Sequence, residues 1–423
     1  MKVVVSAGGR FHAINLAQQL NKKSCLQKLY SFSFTKSDQR KIDINHDTGI
    51  SLVKTINSCK FLDMAFQRLR LANFINTSVF NSFKDNLFDS LVAREIKKLE
   101  HIDIFTGWAN YSLKCLAQAK KIGAKTIIES GSCHIKEQQI LLSHEYDKWG
   151  VNFRPIYQPI IDKMEQEYTQ TDFIMTLSDF SYQSFIKHGI NPKKILKTPC
   201  GIDVDFFCAS PTGDGSTSSP RARHLNGSHP EPVEGCEFKK RSNESTLVSA
   251  KKFRVIFVGM ISLRKGIPYL IEAWNKLNLP THSTELILVG NIQKDMYQVL
   301  KKLEIKKNIN FFGSCSRDDL KKLYLESDVF VLPSVEDGFG MVIGEAMACG
   351  LPVICSKNTG ANDIIQDGKH GFLVPAQNAE ALAEKILWCY QNPEPSKEMG
   401  NFGKNKILDF SWENYGNNVF EIY

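Results

Sequence analysis

The 423-residue sequence predicts an α/β protein of two domains, each built on a parallel β-sheet. Three observations predict it. Short apolar runs at 2–6, 173–177, 253–258 and 328–333 are each followed by turn residues and then by a stretch with helical spacing. The chain is too long for one ordinary core. Between Ala209 and Ala250 the composition turns to Gly, Ser and Pro, with few apolar residues, and divides one βα series from the next. The expected organisation is a domain over 1–208, a low-complexity insert over 209–250, a second domain over 251–405, and a terminal helix over 406–423. The insert cannot repay its ordering entropy and is expected to be disordered.

Composition narrows the function classes. With 42% hydrophobic and 23% charged residues the chain is globular. A net charge of +8 suits acidic ligands such as nucleotide diphosphates, or anionic lipid, and is too mild to imply nucleic acid. Eleven cysteines include no CxxC pair and no Cys/His cluster, so neither zinc nor a disulfide framework is expected. No signal peptide and no apolar run of membrane-spanning length is read, which predicts a cytoplasmic protein.

Taken in order, residues 2–6 read as a strand and 7–12 as a loop containing Gly8, Gly9, Arg10 and His12 before a helix through Leu20. A strand, a glycine loop and a helix present N–H groups to an anion, with Arg10 able to add charge. His12 reads as a capping or packing residue. Residues 60–98 are mainly helical and mix Lys60, Arg68, Arg70 and Lys84 with Phe61, Phe66, Phe74, Phe80 and Phe83. That face suits either a solvated cover over the sheet, the favoured reading, or peripheral contact with the inner face of an anionic membrane. Strands at 102–105 and 126–128 flank a helix at 112–121, and the second leads into Glu129-Ser130-Gly131-Ser132-Cys133-His134. A histidine beyond a parallel strand stands where α/β folds bind ligands; a structural loop histidine is the alternative. Asp203-Val204-Asp205 has the form of a metal-binding DxD, but it follows Pro-Cys-Gly at a domain junction and reads as a turn without metal.

In the second half, Gly259 to Gly266 carries Arg264 and Lys265 beyond the strand at 253–258. Further strands are read at 285–290 and 309–313. The buried strand at 328–333 then meets Ser334-Val335-Glu336-Asp337-Gly338-Phe339-Gly340, a helix over 341–349 stopped by Gly350 and Pro352, and a strand over 351–355. Gly338 and Gly340 let the backbone approach a ligand. The N–H groups from Phe339 to Val342, including Gly340 and Met341, open the helix and form a phosphate site. Asp337 and Glu345 bracket them. Two hydroxyl-accepting carboxylates beside a diphosphate site suit a nucleotide sugar.

An acid, seven residues and a Glu, with Gly-Phe-Gly between and Glu-Ala-Met-Ala-Cys-Gly at the end, resembles the signature of glycosyltransferase family four (group 1), retaining enzymes of the GT-B fold. The resemblance implies two Rossmann-like domains facing across a cleft, a terminal helix over 406–423 that crosses back to the first domain, nucleotide-diphosphate sugar as donor substrate, and no cofactor. It places Asp337 on donor-sugar hydroxyls, Glu345 on the ribose, and Lys265 on the diphosphate. Arg264 supplies the charge usual where Met260 stands. His134 faces the donor sugar, and Gly8 and Gly9 lie near the diphosphate or the acceptor. The family usually has Glu where Asp337 stands, with Glu336 one position early. The expected activity is sugar transfer to a glycan or lipid-linked hydroxyl acceptor, of hexosyltransferase type, in cell-envelope or exopolysaccharide synthesis. A nucleotide-sugar epimerase of the same fold and a catalytically idle sugar-nucleotide-binding paralogue are the alternatives.

Overall fold

The computed structural model describes residues 1–43, 51–69, 71, 75–152, 156–209 and 252–423. The expected insert, apart from Ala209, lies outside the described residues, as do Arg70 and Phe74. The chain forms two compact units. One comprises Met1–Ile140, Arg154–Gly201 and Trp412–Tyr423, and the other Leu141–Phe153 and Ile202–Ser411. The first unit is therefore discontinuous in sequence.

The first unit runs β1 (Val3–Ser6), α1 (Ala13–Lys22), β2 (Leu26–Ser31), α2 (Lys36–Asp43), β3 (Val53–Thr55), α3 (Asn57–Arg68), α4 (Thr77–Ile96), β4 (Ile104–Trp108), α5 (Leu113–Lys121), β5 (Lys125–Ser130), α6 (Ile135–Trp149), α7 (Gln158–Gln170), β6 (Phe173–Thr176), α8 (Asp179–Lys187) and β7 (Ile195–Lys197). The last turns of α6 go with the second unit. Its seven strands are ordered β3-β2-β1-β4-β5-β6-β7 and pair in parallel. Alternate residues serve opposite faces of this sheet. Val4, Phe105, Ile128 and Ile174 enter a core with α4, α5 and α7. Val3, Val5, Ile104, Ile127 and Met175 enter a second core with α1 and the terminal helix Trp412–Ile422. Burial on both faces explains why the strands read as continuous apolar runs.

The second unit runs α9 (Val204–Cys208), β8 (Phe253–Val258), α10 (Ile267–Leu277), β9 (Thr284–Val289), α11 (Met296–Leu300), β10 (Ile309–Gly313), α12 (Arg317–Leu325), β11 (Val329–Leu332), α13 (Met341–Ala348), β12 (Val353–Ser356), α14 (Ala361–Ile364), β13 (Gly371–Val374), α15 (Ala379–Gln391) and α16 (Pro393–Ile407). Its six strands are ordered β10-β9-β8-β11-β12-β13, again in parallel. The chain winds outward from β8 through β9 to β10, then returns to lay β11 against the other edge of β8. The order reverses there, and the loops after β8 and β11 diverge at the carboxyl ends of adjacent strands, which is where open α/β sheets bind ligands.

Candidate active site

The two loops at this reversal carry the charged residues singled out in the sequence. β11 is wholly buried, so its chain leaves the sheet in a fixed direction at Pro333. Val335 N–H donates to the Arg264 carbonyl at 2.9 Å, joining the loop after β11 to the loop after β8. Arg264 Nη1 in turn donates to the Glu336 carbonyl at 3.2 Å and to its carboxylate at 3.1 Å. Lys265 Nζ donates to the Asp337 carboxylate. Gly266, at φ +68°, closes the first loop, and a Cβ there would lie 2.0 Å from the Pro333 carbonyl oxygen. Only glycine allows this approach.

Both predicted phosphate-binding cations are thus matched by neighbouring acids. Burial alone would push the Asp337 carboxyl up, but Lys265, Arg264 and the hydrogen bonds from Lys265 and Phe339 N–H outweigh it and hold the group below the usual carboxylate range. Glu336 is fully buried against Arg264, while Asp337 keeps some exposure.

Gly340 is the N-cap of α13 at φ +79°. Phe339 is buried beneath it, and Met341 and Val342, both half-buried, form the first helical turn, whose N–H groups have no partner within a helix. Eight residues from Asp337, Glu345 is half-buried and accepts from the Tyr324 hydroxyl at 3.3 Å. Burial pushes its carboxyl up and Asp203 adds to this, against the opposing effects of Arg317 and Tyr324. The two acids therefore differ electrostatically, Asp337 being held as an anion by cations and Glu345 being reluctant to ionise.

A third loop, after β12, supports this arrangement; in the sequence its Thr359-Gly360 fitted the family resemblance, but the contacts of Ser356 and Asn358 were not foreseen. Ser356 Oγ donates to the Ser334 carbonyl at 2.6 Å, Asn358 Nδ2 to the Val335 carbonyl at 2.8 Å, and Asp337 N–H to the Asn358 carbonyl at 3.0 Å. Gly360 N–H donates to the Phe339 carbonyl at 2.9 Å. The available signal was a run of small polar residues directly after a buried strand. Asp203, of the DxD, accepts from Phe206 N–H at the start of α9 and pairs with Arg317 at 2.6 Å. Among the described residues no group of three or more potential metal ligands is found.

In the first unit Gly8 and Gly9 follow β1, whose neighbour β4 is again the strand at which the order reverses. A Cβ on Gly8 would lie 2.1 Å from the Tyr111 ring, so close packing already demands glycine there. Arg10 is exposed and pairs with Asp38 at 3.2 Å. His134 sits at the entrance to α6, only 2% exposed, with its Nδ1 accepting from Lys136 N–H at 3.2 Å. Its ring stacks on His188 at 4.5 Å and packs against Tyr168 and Phe185. Burial, with His188 and Lys136, lowers its pKa to about 4, so it is a neutral hydrogen-bonding group at neutral pH. His12 packs as expected, but not innocently. It pairs with the buried Glu129, lies 3.6 Å from Cys200 Sγ, and is surrounded by Trp108, Trp412 and Tyr415. Burial opposes its charge, yet Cys200 and Glu129 hold it well above its ordinary value. An acid inside an otherwise buried parallel strand was the signal for this pair.

Comparison with known proteins fits the second site. The family model for glycosyl transferases group 1 matches residues 238–406, which contain all of its charged and helix-opening residues. The putative glycosyltransferase EpsD of Bacillus subtilis is 30% identical over 211 residues, covering 49% of this chain and 55% of that protein. O-antigen chain mannosyltransferase B of Escherichia coli is 30% identical over 172 residues, covering 40% of this chain and 45% of that one. The chain spans about half the length of the curated relatives it matches. Among solved structures, Anabaena HepE in complex with UDP superposes with a TM-score of 0.65 at 16% identity, covering 100% of this chain and 99% of that one. Sucrose-phosphate synthase of Thermosynechococcus elongatus gives 0.64 at 18% identity, covering 100% and 98%. Residues 238–406 therefore match the family model of glycosyl transferases group 1, and the chain has the GT-B fold.

Proposed function

We propose that this protein transfers a sugar from a nucleotide-diphosphate sugar to a hydroxyl of a glycan or lipid-linked acceptor, with retention of anomeric configuration, in the cytoplasm. The observation that carries this reading is the meeting of Arg264, Lys265 and the start of α13 with Asp337 at the strand-order reversal, inside the group 1 match. As the bond from the sugar C1 to the diphosphate breaks, positive character grows on the sugar and negative charge on the leaving phosphate. Lys265, Arg264 and the amides of Phe339 to Val342 supply the compensating charge, and Asp337 and Glu345 accept hydroxyls of sugar and ribose. Preorganised groups cost no reorganisation at the moment of reaction. The UDP and UDP–glucose complexes of HepE support a nucleotide donor, and the name of the O-antigen chain mannosyltransferase supports a role in cell-envelope or exopolysaccharide glycans.

The test is a thermal-shift screen of nucleotide sugars on the wild type, Glu345→Ala and Asp337→Asn, followed by product analysis with glycan acceptors. One donor is expected to raise Tm by several degrees at about 100 times its Kd. Glu345→Ala should lose that shift. Asp337→Asn should keep or tighten binding of the bare nucleoside diphosphate while turnover falls about 100-fold. Stabilisation without turnover would assign an idle sugar-nucleotide-binding protein. Release of nucleotide with an altered free sugar and no acceptor product would assign an epimerase. Failure of every donor to stabilise the wild type would sink the proposal.

A further inference from the structure

Six of the large apolar side chains exposed on the protein lie in one stretch of the first unit, on and between α3 and α4. Phe61 is 70% exposed, Met64 62%, Leu69 64% and Phe83 60%, with Ile75 and Val79 beside them in sequence. Helical spacing gathers them on the solvent side of each helix. In α3, Phe61, Met64 and Arg68 recur at three- and four-residue spacing, with Lys60 flanking them, on the side opposite the buried Cys59 and Phe66. In α4, Val79 and Phe83 are four apart, on the side opposite the buried Asp85, Phe88, Asp89 and Val92. Phe66 and Phe80 stack at 3.8 Å and pin the two helices together, so each inner face is satisfied and the outer apolar residues have no packing task. Exposed apolar groups gathered on one face, unlike scattered ones, mark an interaction surface.

The charges on this face point to its occupant. Lys60 and Arg68 flank Phe61 and Met64, and among the described residues no carboxylate pairs with either. The nearby acid Asp63 is taken by Lys84 at 2.6 Å. Asp85 and Asp89 of α4 are turned inward. A second copy of this chain would bring the same uncompensated cations against their like, on a molecule already at +8. A surface of anionic lipid headgroups over an apolar layer complements both features, with aromatic and Met side chains entering the acyl boundary and Lys and Arg remaining at the phosphates. Among the described residues no helix is long and apolar enough to cross a membrane, so such contact is peripheral. We propose that the outer face of α3 and α4 docks the protein on an anionic membrane surface. The proposal is independent of sugar transfer, since docking requires no turnover.

Co-sedimentation of the full chain with vesicles of phosphatidylcholine alone, or with one third phosphatidylglycerol, tests it. The wild type should bind the anionic vesicles, and about 0.5 M NaCl should weaken binding. Phe61→Gln with Phe83→Gln should lower the partition coefficient at least about tenfold per side chain, and Lys60→Gln with Arg68→Gln about fivefold per charge. Phe402→Gln removes an exposed aromatic from the other unit and should leave binding unchanged. All these positions face solvent, and far-UV circular dichroism confirms that each variant is folded. The proposal is overturned if the wild type ignores anionic vesicles, or binds phosphatidylcholine equally well. It is equally overturned if the Phe61 and Phe83 changes leave vesicle binding intact, or dissociate a dimer that binds no vesicles.

Discussion

His134 shows what a single residue's surroundings do to its chemistry. Its imidazole is held to about 4 by burial and by its neighbours His188 and Lys136, against an ordinary value near 6.5. The lowered value means that the unfolded chain binds a proton over a range where the folded one resists it. The contribution is fully present above about pH 6.5 and is lost as pH falls toward 4, on the order of 2–3 kcal/mol in all. Urea denaturation across this range should show a shallower acid loss for His134→Gln than for the wild type; equal slopes would contradict the assignment. The acids and glycines of the 337–345 segment were legible because their logic is local, a spacing along one turn and one helix. The pairing of Lys265 with Asp337 was not, because the partners lie 72 positions apart and meet only when β8 and β11 become neighbours. The same holds for His12 and Glu129, where the sequence offered one odd charge in an apolar strand but no hint of its partner.

At the scale of elements, the loop after β8 depends on its contact with the loop after β11. Gly266→Ala would place a methyl group against the Pro333 carbonyl and force an L-residue to hold φ +68°. The expected cost is on the order of 1–3 kcal/mol, read as a lower chemical denaturation midpoint. Loss of donor-induced stabilisation should accompany it, because Arg264 and Lys265 immediately precede the strained position. Buried strands such as β1, β6, β8 and β11 were readable within a residue or two, since burial on both faces leaves an unbroken apolar run. β4 was read two residues early because its Thr106 and Gly107 interrupt the pattern, although both are buried. β2, β3 and β7 escaped notice. Each carries lysine, and the last two are three residues long at the two edges of the sheet, where charged side chains reach solvent.

For the whole molecule, the division into two parallel-sheet units followed from length and the repeated βα rhythm, whereas the return of the terminal segment, Trp412–Tyr423, to the first unit was expected only from the family resemblance. Its last segment packs by long-range contacts: Trp412 lies within 2.7 Å of where a Gly201 Cβ would be, Gly416 meets Gln19, and the Tyr423 hydroxyl is 2.5 Å from Thr106 Oγ1. Tyr415 and Val419 are buried in the core with α1. Ending the chain at Ser411 should expose these surfaces and uncover the His12–Glu129 pair, costing about 3–6 kcal/mol for two large side chains returned to water. Two-unit denaturation followed by hydrogen exchange should then show the first unit melting earlier while the second is unchanged. The same feature bears on biosynthesis. Between Gly201 and Trp412 the ribosome must add 210 residues, Ile202 to Ser411, which at ordinary translation rates takes about 10–40 s. During that interval the nascent first unit lacks the segment that seals one of its cores, while the second unit has all but one short stretch emerging in sequence. Completion of the first unit therefore waits for Trp412–Tyr423, which is made only after Ile202–Ser411 of the second unit.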